Sequence, residues 1–299
     1  MTTGVDRLDP LDGFDYSTIE VGSSRYRVGR RGSGPAVLLL HGFPQTHYCW
    51  RSVAPALAGS RTVVVCDLKG YGTSEAAPGG PLGEGYSKRE MARELVALMR
   101  SAGFARFAVV GHDRGARAGY RLALDHPDVV ERLAVLSVIP TAEQFERLDP
   151  DAALDYWPFF FLAQPFAERV FAASADYLVR WILASWAGEP LPPDAVERYV
   201  AAYSPETIAR VCAEYRAAFH LDRGHDLADR AAGRRLTCPV LVHWGAEEGT
   251  TSAGPLDVWR RWADDVSGGP LTAGHFLPEE AAEPLARSLT RFLAPPRPA

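Results

Sequence analysis

Residues 109–117 read Val-Val-Gly-His-Asp-Arg-Gly-Ala-Arg, and this stretch constrains the fold more tightly than any other in the chain. An apolar run over 107–110 stops at Gly111, turns sharply through Asp113, and resumes after Gly115 with helical spacing through Tyr120, Leu122 and Leu124. The pattern predicts a strand, a tight turn and a helix, with glycines beside the central residue so that the turn closes without a clash. A Gly-x-nucleophile-x-Gly elbow has this form; it is usually built on Ser and raises the central side chain above a parallel sheet. Aspartate stands in that place here. A carboxylate needs no base to become a nucleophile, and it attacks saturated carbon to leave an alkyl ester on the protein. Ordinary ester cleavage is thereby disfavoured.

The rest of the chain supports an α/β class. Residues 26–30 alternate like a strand, 36–40 and 61–66 are apolar runs of buried-strand length, and 133–138 and 240–244 are further strands. A short strand is expected near 269–272. Ser87 with Glu90 has capping-box spacing and opens a helix to about Met99. The elbow helix should end near His126, and a last helix should run from about Pro278 to Phe292. Strands alternating with helices predict a mostly parallel sheet with helices on both faces and catalytic groups at the strands' carboxyl ends. Between 140 and 229 the texture changes: aromatic residues crowd in at helical spacing, as expected of a helical lid inserted into the core. The expected organisation is core over 1–139, lid over 140–229 and core again over 230–299, with residues 1–17 loosely docked and 295–299 a tail.

At 299 residues the chain suits one core domain with an insertion. A formal net charge of -5 gives no basic patch for nucleic acid. No run of eighteen apolar residues appears and the first ten residues have no signal-peptide core, so a cytoplasmic protein without membrane insertion is expected. Cys49, Cys66, Cys212 and Cys238 are scattered without CxxC spacing, which suits reduced core thiols rather than bridges or zinc. No metal and no cofactor are expected. The expected partner is a small-molecule substrate, with a homodimer admissible.

If Asp113 is the nucleophile, a second group must hydrolyse the ester, or turnover stops after one cycle. His275, in a Gly-His-Phe turn after the last sheet segment, stands where this fold's order of nucleophile, acid and histidine puts its base. His112 points away from Asp113 on so sharp a turn and reads as packing or turn support. The base needs a carboxylate to hold its tautomer. The segment Ser137-Val138-Ile139-Pro140 offers none, whereas Glu247-Glu248 follows the strand ending at Trp244; Glu248 is favoured over Glu247 by loop spacing, against the plain alternative of two solvated surface glutamates. The loop His41-Gly42-Phe43-Pro44-Gln45 follows a central strand, and backbone N–H groups of Phe43 and Arg114 are expected to form the oxyanion hole.

These residues resemble the alpha/beta-hydrolase superfamily and, within it, the fluoroacetate (haloacetate) dehalogenases. The segments HGFPQTHYCW, GHDRGARAGYRLALDHP, FLAQP, PLDVWRRWADDV and GHFLPEE carry the resemblance, which covers nearly the whole chain after residue 20. It implies Asp113 as nucleophile, His275 as base, Arg114 and Arg117 as a clamp for a substrate carboxylate, Tyr215 as a donor to the leaving group, and Trp186 in the pocket wall. Three departures stand out. The family's triad aspartate falls on Ser137, while Glu248 lies where related epoxide hydrolases keep their acid. The halide-cradling His-Trp pair falls on Pro158 and Phe159, and an apolar wall does not stabilise a departing fluoride.

Epoxide hydrolases share the aspartyl ester and protonate the departing oxygen with two lid tyrosines. Tyr215 supplies one; Tyr156, or with less support Tyr203, supplies the other. Tyr156, Trp157, Phe159 and the aromatic block after it suit a fairly large apolar substrate. The expectation is therefore epoxide hydrolase-like ring opening. Haloacid dehalogenation is the alternative, followed by a diverged pathway hydrolase and a non-catalytic binder on the same fold. The presence of both Asp113 and His275 argues against the last, because a receptor need not retain them.

Overall fold

The computed structural model describes residues 10–248 and 254–294. Eight strands form one sheet: β1 (Asp15–Val21), β2 (Ser24–Arg31), β3 (Ala36–Leu40), β4 (Thr62–Cys66), β5 (Phe107–His112), β6 (Val130–Leu136), β7 (Val240–Gly245) and β8 (Val266–Leu271), in the order β1-β2-β4-β3-β5-β6-β7-β8. β1 and β2 run antiparallel to their neighbours; from β4 to β8 all pairs are parallel. The parallel centre follows from composition: every residue of β3, β4 and β5 is buried, as strands covered by helices on both faces must be.

Strand order reverses between β3 and β5, which are hydrogen-bonded neighbours with Leu40 paired to Gly111. At such a reversal the loops leaving two adjacent strands diverge and open a crevice beyond their carboxyl ends. The loop after β3 and the elbow after β5 meet there.

Between β6 and β7 the chain leaves the sheet and forms a run of helices from Thr141–Glu146 to Arg223–Ala231. Asp226 ties this insert to the elbow helix (Arg114–Asp125), accepting hydrogen bonds from Tyr120 Oη (2.8 Å) and Arg121 Nη2 (2.8 Å), and also from the Ala142 amide (3.1 Å). The helix Lys88–Ser101 begins with Ser87 accepting from the Glu90 amide, as its spacing predicts. All four cysteines are buried free thiols. Among the described residues no helix is long and apolar enough to cross a membrane.

Several boundaries differ from the sequence reading. The expected loose segment 1–17 already enters β1 at Asp15. Leu11 and Phe14 are buried, and the Tyr16 hydroxyl accepts the Leu11 amide (3.1 Å) and bonds His47 Nε2 (3.0 Å). Residues 1–9, like the expected tail at 295–299, lie outside the described residues. β6 starts earlier than expected and stops at Leu136, because Ser137 takes φ +59° and leaves the extended region. The last strand also starts earlier, at Val266. The expected final helix is two, Leu277–Glu280 and Ala282–Leu293, separated at Ala281 with φ −124°.

Candidate active site

The elbow places Asp113 above the sheet in a conformation that side chains rarely adopt, φ +47° and ψ −114°. Holding a non-glycine residue there costs about 1–3 kcal/mol and persists only where the surroundings enforce it. The enforcing contacts are on both sides: the Asp113 amide donates to Leu136 O (3.0 Å), and its carbonyl accepts from the Arg117 amide (3.1 Å). Gly115 is required by close approach, since a Cβ there would lie 2.4 Å from the carbonyl oxygens of both Leu40 and His41. The elbow helix can therefore start directly against the end of β3.

The Phe43 amide, one of the two expected oxyanion donors, donates to Asp113 Oδ1 at 2.9 Å. The other expected donor is the Arg114 amide, one residue past Asp113 at the start of the elbow helix. On the far side of the carboxylate, His275 Nε2 lies 4.0 Å from Oδ2. His275 Nδ1 bonds Glu248 Oε1, while Glu248 Oε2 accepts from the Gly245 amide at 3.0 Å, which fixes the carboxylate's orientation. The structure thus brings Glu248, not Glu247, onto the imidazole. His275 Nε2 is buried without a hydrogen-bond partner, leaving it free for a proton.

Electrostatics reinforce this geometry. Burial pushes the Asp113 carboxyl up, but His275, Arg114, His112 and Arg117 together outweigh it and hold the group below its ordinary range. Burial pushes His275 down, and the charge and hydrogen bond of Glu248, with Asp113 beyond, more than reverse it. Burial drives His112 the other way, down to about 3, so its ring is neutral.

The His275 backbone is gripped on both sides. Its carbonyl is bonded by Ser137 Oγ (3.1 Å) and His112 Nε2 (2.8 Å), and its amide donates to Trp186 O (2.9 Å) in the insert. Glu280 accepts from the amides of Gly274 (2.9 Å), Phe276 (2.8 Å) and Gly188 (2.8 Å), tying the histidine turn to the insert again. Ser137 and His112, read from sequence as an unfilled acid position and as packing or turn support, therefore position the histidine turn. The signal available in sequence was Ser137 at the family's acid position, directly after a buried strand.

A cavity of about 290 Å³ opens over Asp113, lined also by Arg117, Ser137, Asp155, Tyr156, Pro158, Phe159, Ser185, Trp186, Tyr215, Glu247, Glu248 and His275. Of the expected substrate-facing residues, Arg117, Tyr156, Phe159, Trp186 and Tyr215 are brought together here. Two are not. Trp157 turns off the cavity side of its short helix and packs on Phe161 (5.5 Å between ring centres) and Trp181 (6.0 Å). The Arg114 side chain is wholly buried behind the wall, with Nε 2.9 Å from both carboxylate oxygens of Glu214 and Nη2 also bonded to Oε1. The resemblance implies Arg114 in a clamp for a substrate carboxylate; beneath the insert its partner is instead the protein's own Glu214. Tyr203 lies outside the cavity wall, its hydroxyl buried without a partner.

The alpha/beta-hydrolase fold model matches residues 35–282, a span that includes the elbow, the insert and the histidine turn. The chain belongs to the alpha/beta-hydrolase family. Within this family it is 40% identical over 294 residues to the fluoroacetate dehalogenase of a Burkholderia species, covering 96% of each chain. It is 32% identical to the soluble epoxide hydrolase of Corynebacterium sp. strain C12, over 89% of this chain and 92% of that one. Among solved structures, the epoxide hydrolase CorEH without ligand superposes with a TM-score of 0.86 at 30% identity, covering 95% of this chain and 100% of that one. Like these relatives, this alpha/beta hydrolase is an enzyme.

Proposed function

We propose that this hydrolase opens epoxides through an ester on Asp113. The observation that carries the reading is that Tyr156 and Tyr215 line one cavity with Asp113 and His275. In the first step Asp113 Oδ2 attacks a ring carbon, the carbon–oxygen bond breaks, and a tyrosine hydroxyl protonates the departing alkoxide. Burial and the nearby Asp113 charge raise both phenols, Tyr156 to about 12, so each is a protonated donor at neutral pH. In the second step His275, oriented by Glu248, removes a proton from water, which adds to Asp113 Cγ. The Phe43 amide stabilises the oxygen that gains charge, and collapse releases the diol, the two water protons going to the expelled oxygen and, through His275, to the tyrosinate left by the first step. One carboxylate oxygen then comes from water. The insert is read as the lid that shapes the substrate space.

Haloacid dehalogenation is the second reading, favoured by the 40% identity to a fluoroacetate dehalogenase. Against it, the positions expected to cradle a halide hold Pro158 and Phe159, whose side chains offer no hydrogen-bond donor. Incubation in oxygen-18 water with a panel of epoxides and with chloro- and fluoroacetate separates the readings. Diol release with label in Asp113 is expected. Halide release without diol would transfer the reaction to the second reading, and no label with any substrate would remove the covalent step from both.

A further inference from the structure

In this structure Arg114 is shielded from the substrate, and Arg117 lines the cavity with an aromatic ring against it. The Cζ atoms of Arg114 and Arg117 each lie 5.1 Å over the Phe159 ring, and Arg114 Cζ lies 4.1 Å over Tyr215. Phe159 lines the cavity and Arg114 does not, so an aromatic face covers the cation where a carboxylate would have to meet it. Behind the ring, Glu214 engages Arg114 through Nε and Nη2, and Lys88 Nζ also bonds Glu214. Arg117 reaches the cavity, but its Nη1 donates to Ile139 O and Thr141 Oγ1, both at 3.1 Å.

The charges left facing the cavity oppose an anion. Asp113, Asp155, Glu247 and Glu248 line it against Arg117 and His275, so carboxylates outnumber cations whether or not His275 is protonated. A bound carboxylate would gain one partly spent guanidinium and the shared His275, and would meet buried Asp113 and half-buried Glu248, with the exposed Asp155 and Glu247 adding like charge that water screens.

We propose that Glu214 and Phe159 convert the elbow arginine pair from an anion clamp into a neutral aromatic wall, and that the substrate of this site is uncharged. Phe159 acts by contact with the substrate. Glu214 acts through Arg114, as a positioning residue. The inference deepens the ring-opening reading and rests on it for the location of the substrate, but its test needs no turnover.

The test is calorimetric binding of an isosteric pair, phenylacetamide and phenylacetate, at pH 7.5. The wild-type protein is expected to bind the amide at least about ten-fold more tightly, a difference of about 1.4 kcal/mol. Equal or tighter binding of phenylacetate, or binding of neither ligand, overturns the proposal. In folded Glu214→Gln the amide-to-carboxylate ratio is expected to fall by about ten-fold, because Arg114 regains an unpaired charge. An unchanged ratio overturns the part assigned to Glu214, and Phe159→Ala tests the same shift if the first variant does not fold. Absence of diol from every epoxide with the amide preference intact would sink ring opening and leave this inference standing; diol formation with the preference reversed would do the opposite.

Discussion

The ends of the parallel strands and the inserted helices hold their cavity residues by different means. At the strand ends, backbone groups do the holding: Phe43 N to Asp113, Asp113 N to Leu136 O, Gly245 N to Glu248, and the His275 carbonyl bonded by Ser137 and His112. In the insert, rings hold rings: Phe145 on Phe159 at 5.4 Å, Phe159 on Tyr215 at 5.6 Å and Tyr156 on Phe159 at 6.1 Å. Hydrogen bonds are directional and lose strength steeply when bent, whereas ring contacts tolerate repacking at modest cost. The arrangement therefore makes the reacting geometry rigid and the substrate space adaptable. It also predicts that substitutions on the two sides differ in kind, abolishing a step on one and grading it on the other.

The largest expected effect is from His275→Gln, which removes the base of the second step alone. Turnover should fall by about 10⁴ or more while the ester accumulates, seen as a mass increase on the Asp113 peptide after exposure to an epoxide. Wild-type turnover in this variant would end the contrast, since the strand-end site would then be dispensable.

Glu248→Gln should lower turnover by about 10²–10⁴, by loss of the orienting carboxylate. Its pH profile discriminates further. Hydrolysis of the ester needs neutral His275, so that rate rises as pH passes upward through the histidine's pKa. Glu248 raises that pKa, hence its removal should move the rising limb to lower pH. Glu247→Gln should leave the limb in place; a shift in that variant would reassign the acid.

On the insert side the effects should be graded. Tyr215→Phe and Tyr156→Phe are each expected to reduce turnover about 10-fold to 10²-fold, and the double variant more than either, because one phenol partly substitutes for the other. A single variant as inactive as the double would mean that one tyrosine carries the whole step. Smallest of all, Trp157→Phe should change kcat/KM by no more than about two-fold, since its ring packs on Phe161 and Trp181 outside the cavity.

The same contrast explains what was legible in the sequence. The elbow, the Phe43 loop and the Gly-His-Phe turn could be read because local rules, glycine spacing and strand ends, determine them. Glu248 could be read by its place after β7. The Arg114–Glu214 pair could not: its members are a hundred residues apart and meet only when the insert folds over the elbow. A glutamate among buried neighbours in the helix Pro205–Ala217 was the one available hint. β1 escaped notice because an edge strand with one wetted face carries mostly polar residues. Trp157 failed for a simpler reason: an aromatic cluster predicts a roof, but not which rings face inward.

The position of Asp113 beside His275 has one more consequence. Negative charge on Asp113 is among the influences that favour imidazolium in the resting pair, and ester formation extinguishes it. On the proposed cycle, the first half-reaction thus weakens the histidine's hold on its proton just as the tyrosinate left by protonating the alkoxide has come to need one. The neutral imidazole left behind can then accept a proton from water, and product release restores the original pair. The two steps are timed by a charge that vanishes and returns, without any moving part.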